Sequence, residues 1–132
     1  MKIIDGKGAI LGRLSSYVAK EALKGEEIAV VNCEEIIILG NKQDIKKKME
    51  ERRKRVGSGQ KGPKVSRLSE KIVKRAIRGM LPNHRRGRGK ECLKKIKCYK
   101  GVPDEFKDKE MISLKSPEKR KYTKIKEISI DN

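Results

Sequence analysis

The first 31 residues constrain the fold more than any other part of the chain. Lys2–Asp5, KIID, is short, β-branched and closed by Gly6, which predicts a buried strand. Gly8 to Lys24 predicts a helix. There Ile10, Leu11, Leu14, Val18, Ala22 and Leu23 recur at spacings of three and four, and Gly25 stops the run. Glu27–Asn32 then carries IAVV, a second strand. Strand, helix and strand make a βαβ unit, whose strands run parallel with a right-handed crossover. The unbroken apolar runs KII and IAVV suit strands covered on both faces.

The rest of the chain extends the same alternation. Ile36–Leu39 predicts a third short strand, ended by Gly40. Asn41 can cap a helix from Lys42 to about Arg55, with Asp44 favourable in its first turn. Ser66 can cap another, whose Leu68, Ile72, Val73, Ala76, Ile77 and Met80 form an apolar stripe ended by Pro82. Gly87 or Gly89 opens a short helix with Cys92, Leu93 and Ile96 on one side, and Ile96–Tyr99 predicts a last core strand. In the mixed-charge stretch 102–132, YTKIKEISI fits either an edge strand or a short docking segment. The expected organisation is one α/β domain over 1–132, a flexible basic arm at 52–65 and a C-terminal extension at 104–132.

Charge narrows the function. The chain has 36 Lys and Arg against 18 Asp and Glu, a net charge of +18. Residues 1–40 hold 5 basic and 6 acidic side chains, and residues 101–132 hold 8 and 7. Residues 41–100 hold 23 basic and 5 acidic, so the middle accounts for the whole excess. A heat-adapted surface carries Lys and Glu together, which fits the flanks and fails for the middle. Unbalanced positive charge repels itself unless a polyanion neutralises it, so a nucleic acid is the expected partner. An anionic membrane is the weaker alternative, since no apolar run approaches the roughly 20 residues of a span.

Other chemistries find little support. Gly6-Lys7-Gly8-Ala9-Ile10-Leu11-Gly12 follows a strand and opens a helix, but it is one residue off a dinucleotide fingerprint. Gly8 and Gly12 are expected to serve chain geometry and helix packing, with no cofactor. Cys33, Cys92 and Cys98 include no CxxC pair and read as reduced, mostly buried thiols rather than metal ligands. The only histidine, His84, sits in a cationic stretch and is expected at phosphate or a base. No nucleophile–base set can be assembled, so the chain is expected to be no enzyme and to have no small-molecule substrate.

Folded RNA fits best. With one Phe, three Tyr and no Trp, there is no aromatic platform for single-stranded bases. No zinc-finger or basic-zipper pattern favours DNA. Cation-rich segments on a compact α/β body suit the irregular phosphate surface of RNA. Arg supplies a planar fork for phosphate, Lys a point charge, and glycines beside Arg85, Arg86 and Arg88 permit close approach. The candidate RNA-binding residues are Arg13, Lys42, Arg52, Arg53, Lys54, Arg55, Lys61, Lys64, Arg67, Arg78, His84, Arg85, Arg86, Arg88, Lys90 and Lys94. Met80 is expected to be buried, anchoring a corner from which Arg85–Lys90 reach the RNA.

Four segments carry a resemblance. AIRGMLP at 76–82, GRLSSYVAKEAL at 12–23, VVNCEEIIILGNK at 30–42 and LKKIKCYKGVP at 93–103 together resemble the motifs of the universal large-subunit ribosomal protein family numbered thirteen, in its archaeal form. Ser15 stands where the family usually has Ala, and Cys33 and Cys98 where it has small apolar residues. The resemblance implies a three-layer α/β/α fold around a four-stranded, mainly parallel sheet. It implies binding to large-subunit ribosomal RNA beside neighbouring ribosomal proteins, a structural and assembly role, and a place in the cytoplasmic ribosome. The free chain is expected to be a monomer. The stretch after residue 106 carries no such motif.

Overall fold

The computed structural model describes residues 1–55, 59, 66–115 and 121–129. Strand β1 (Lys2–Asp5) and strand β2 (Ile28–Val31) pair in parallel, Lys2 opposite Ile28 through Asp5 opposite Val31. Helix α1 (Leu11–Leu23) connects them, which completes the βαβ unit. It begins three residues later than the Gly8 start expected from sequence. Gly8 adopts φ +73°, and the Ala9 carbonyl accepts the Ile37 N–H at 2.8 Å, so this stretch links the sheet to a neighbouring strand before the helix starts. Gly6 is held by contact: a Cβ there would lie 2.7 Å from Ile36 Cγ1. Gly12 was expected to serve packing and does not, because nothing lies within 4 Å of a Cβ built on it.

Next along the chain are β3 (Ile37–Leu39), α2 (Lys42–Lys54), α3 (Ser69–Arg78), α4 (Gly87–Lys95) and β4 (Ile96–Cys98). They are followed by β5 (Ile112–Ser113), β6 (Tyr122–Lys124) and a single-turn helix α5 (Ile125–Ile128). The main sheet has the order β4-β2-β1-β5, with every pair parallel. The fold is therefore α/β around a four-stranded parallel sheet. On one face Ile4, Ile28, Val30 and Ile96 meet Leu14 and Val18 of α1, Val73 and Ile77 of α3, and Cys92 of α4. On the other, Ile3, Ala29 and Val31 are covered by Phe106, with Tyr99, Val102 and Met111 around it. That second cover includes a 3-10 turn at Asp104–Phe106, so residues past the resembling motifs complete the third layer.

Strand β3 lies outside this sheet. It pairs antiparallel with β6, Ile37 opposite Lys124 and Leu39 opposite Tyr122. The C-terminal stretch is thus both an edge strand and a docking segment: Thr123, Ile125 and Ile128 are buried beside β3 and the turn at Cys33–Glu35. Lys124 and Lys126 each donate to Glu35 at 3.2 Å. Cys33 and Cys92 are buried free thiols and Cys98 is half-buried. A hydrogen bond to the Cys98 side chain, then burial, push the Cys33 thiol far above its ordinary range, which keeps it protonated.

Candidate nucleic-acid interface

Helix α3 has two opposite faces. Ser69, Ile72, Val73 and Ile77 are buried against the body. Lys71, Lys74, Arg75 and Arg78 recur at i, i+3, i+4 and i+7, so they share the other face. With Ser66 and Leu93, these four cations line a shallow depression of about 240 Å³. A larger cleft of about 460 Å³ adjoins it and shares Ser66, Lys71 and Arg75. Its floor is aliphatic: Leu11 from α1, Ile38 and Leu39 from β3, Ile45 and Met49 from α2, Ile72 and Ala76 from α3. Lys48 and Arg52 bring the charge of α2 to the same rim. Among the described residues, no carboxylate lines either depression.

Helix α2 is built to present cations. Asn41 caps it as expected, accepting the Gln43 N–H at 3.1 Å, and it buries no residue completely. Ile45 and Met49 are its half-buried anchors, while Lys42, Arg52, Lys54 and Arg55 are exposed. Arg53 is half-buried, with Nε and Nη2 enclosed and unpaired among the described residues. Burial, then the charge of Arg67, lower the pKa of Arg53. Two cations so placed disfavour each other, and an anion beside them relieves both. Lys61 and Lys64, with most of the expected arm, lie outside the described residues.

The corner after α3 differs from expectation in its anchor. Met80 is 44% exposed, whereas Leu81 is 8% exposed and packs into the core. The reason is local. Met80 N–H bonds Ile77 O at 3.0 Å and Leu81 N–H bonds Arg78 O at 3.2 Å, a tightened turn. The helical hydrogen bonding of α3 ends in this turn, so helical periodicity no longer fixes which side chain faces the body, and Leu81 takes the core position in place of Met80. At the other end, Ser66 does not cap α3. It accepts the Leu68 N–H at 3.2 Å in a turn, and Leu68 stands at the cap position without a side-chain bond.

Beyond Pro82, Asn83 Oδ1 accepts the Arg85 N–H at 3.1 Å and Gly87 opens α4 with φ +60°. His84 is half-buried, and Arg85, Arg86 and Lys90 are exposed. Arg88 is engaged internally: its Nη2 donates to the Leu23 carbonyl at 2.5 Å and ties α4 to the end of α1. Lys94 lines a separate depression of about 360 Å³ that also holds Glu27 and Glu91, a poorer place for phosphate. Arg13 and Arg67 are exposed at the starts of α1 and α3. Of the sequence candidates, the depressions bring together Arg52 and Arg78. Lys48, Lys71, Lys74 and Arg75 join them and were missed, although the basic 3-4 spacing of 71–78 carried the signal.

The described residues hold no group of His, Cys, Asp and Glu placed to bind a metal, and no helix among them is long and apolar enough to cross a membrane. The motifs that frame these depressions are also those of a known family: the Ribosomal protein L13 description matches residues 1–105. The chain belongs to the ribosomal protein L13 family. Membership makes it a structural ribosomal protein and not an enzyme. Among its relatives is the large ribosomal subunit protein uL13 of Methanosarcina barkeri, 43% identical over 98% of this chain and 95% of its own length. That of Methanocaldococcus jannaschii is 44% identical over 98% and 95%. That of Methanococcus maripaludis is 49% identical over 79% and 77%. The family motifs end near residue 105, yet the relatives align through most of the C-terminal stretch that carries β6 and α5.

Proposed function

We propose that this chain is a structural constituent of the large ribosomal subunit that binds and stabilises folded large-subunit ribosomal RNA and supports assembly. Its partners are that RNA and the neighbouring ribosomal proteins, and its place is the cytoplasmic ribosome. The free chain is a single-domain monomer with a C-terminal extension at 104–132; of the expected basic arm at 52–65, residues 52–54 belong to helix α2. The observation that carries this reading is the basic depression along α3, lined by no carboxylate among the described residues and continuous with Lys48 and Arg52 of α2. Phosphates laid along it meet Arg forks and Lys point charges on a helix whose other face is fixed in the core. The turn cations Arg85, Arg86 and Lys90 extend the contact, with His84 beside them. Arg13, Lys42, Arg53, Lys54, Arg55, Lys61, Lys64, Arg67 and Lys94 add charge around it, and Arg88 holds α4 in place. Co-sedimentation tests the reading: the chain is expected to travel with the large ribosomal subunit and to stay there through a moderate-salt wash. Recovery of all of it in the free fraction would refute the assignment.

A further inference from the structure

We propose that the cleft between α2 and α3 seats one unpaired, looped-out nucleotide of the bound RNA. The inference rests on the RNA-binding reading above and deepens it. The cleft lies within the roughly 300–1,000 Å³ of small-ligand pockets, at about 460 Å³. Its composition is divided in the way a nucleotide is divided. Met49, Ile45 and Ile72 belong to an aliphatic floor, and Arg52 and Arg75 to a cationic rim. A nucleotide has a flat apolar face on its base and a negative charge on its phosphate.

Position supports the same occupant. The rim shares Lys71 and Arg75 with the basic depression, so a strand held along α3 brings its backbone to the mouth of the cleft. A paired base cannot leave that strand, but a bulged base can turn inward and bury its faces against Met49 and the flanking guanidiniums. An acidic amphipathic peptide would match the floor and rim too. It would compete with the RNA already drawn to Lys71 and Arg75, which makes the nucleotide the better fit. Among the described residues the lining offers one side-chain hydroxyl, Ser66, and no amide or carboxylate to read a base edge. The seat therefore selects for an unpaired base and only weakly for its identity.

The test compares two RNA duplexes of equal length with the full chain, one carrying a single bulged 2-aminopurine and one fully paired. The bulged duplex is expected to bind at least about tenfold tighter, or roughly 1.4 kcal/mol, and its 2-aminopurine is expected to become shielded from acrylamide quenching. Met49→Gln is expected to remove both effects and to leave binding of the paired duplex unchanged. Equal affinity for the two duplexes, with the probe still quenched, would overturn the seat while the phosphate reading stands. Failure to bind either duplex at low salt would count against both readings. Saturable binding of a Leu/Glu helix that displaces the probe without any bulge preference would reassign the cleft to a protein and overturn the proposal. The wild-type comparison needs no variant, so poor folding of Met49→Gln leaves it decisive.

Discussion

Gly89 packs against the Pro82 carbonyl so closely that the backbone leaves no room for a side chain. A Cβ on Gly89 would sit 2.5 Å from the Asn83 oxygen and closer still to that of Pro82. The first turn of α4 is thereby locked onto the corner after α3. Gly89→Ala forces backbone apart on both sides, and an overpacking cost of about 3 kcal/mol is expected. Thermal unfolding of the free chain checks this. An unchanged melting temperature would show that the corner yields.

The same corner separates two neighbours. Leu81→Asp places an unpaired carboxylate in the core and is expected to abolish cooperative folding. Met80→Asp alters an exposed side chain and is expected to change stability by no more than about 0.5 kcal/mol. Chemical denaturation of the two variants checks the assignment, and equal losses would contradict it.

What sequence could supply at this corner shows where its reach ends. Periodicity marked β1, α1 and β2 because each element's pattern and its stop, Gly6 or Gly25, lie within a few residues. It marked the cap at Asn41 for the same reason. The end of α3 in two i→i+3 turn bonds, after which Leu81 and not Met80 is buried, is not encoded in residue spacing. The partner of β3 lies more than eighty residues away in β6, so a three-residue apolar run could not announce its pairing. The basic stripe of α3 is legible in spacing, yet the apolar pattern of the same helix is the stronger signal, and Lys71, Lys74 and Arg75 are not among the sequence candidates.

Ser15 offers a stabilising change. Its side chain is fully buried in α1 and its Oγ has no partner among the described residues. Ser15→Ala removes an unpaired hydroxyl, raises helix propensity and leaves a residue the site accommodates. A gain of about 1 kcal/mol is expected, read as an increase in melting temperature. A loss of stability would mean that the hydroxyl is bonded after all.

The C-terminal clip should respond to acid through Glu35. Burial alone would raise its pKa, but the hydrogen bonds from Lys124 and Lys126 outweigh that and hold it below the ordinary 4.5. A depressed folded-state value means stability that is present above pH 4.5 and is lost as pH falls through the folded pKa. Glu35→Gln is therefore expected to be less stable than the parent at neutral pH, by up to about 1 kcal/mol for so accessible a pair. The gap should close once Glu35 is protonated. Unfolding curves of both chains across this range decide it, and a pH-independent gap would assign the effect to packing.

The proposed phosphate binding along α3 carries a salt signature. Free-RNA affinity is expected to fall by about 10³–10⁵ between 50 and 200 mM salt if roughly six to ten phosphates are neutralised. Replacing Lys71 and Arg75 together by Gln should reduce the slope of log affinity against log salt by about 2. Filter binding at several salt concentrations measures both. An unaltered slope in the double variant would remove these two side chains from the interface.

Gly12 provides the last test, because the free protein gives no reason for it. It lies exposed in the first turn of α1, its φ is not positive, and a Cβ would meet nothing within 4 Å. Alanine there should favour the helix by about 1 kcal/mol. Glycine is thus held against the interest of the free fold. Its neighbours suggest why: Leu11 lines the cleft and Arg13 is an exposed cation on the same turn. A missing side chain between them would let the backbone of a bound RNA approach the helix closely. Gly12→Ala is accordingly expected to raise the melting temperature of the free chain and to weaken its binding to RNA, two changes of opposite sign from one methyl group. Calorimetry of the free chain and RNA titration of the same preparation check them together. A stabilised variant that binds RNA as tightly as the parent would place the first turn of α1 outside the interface.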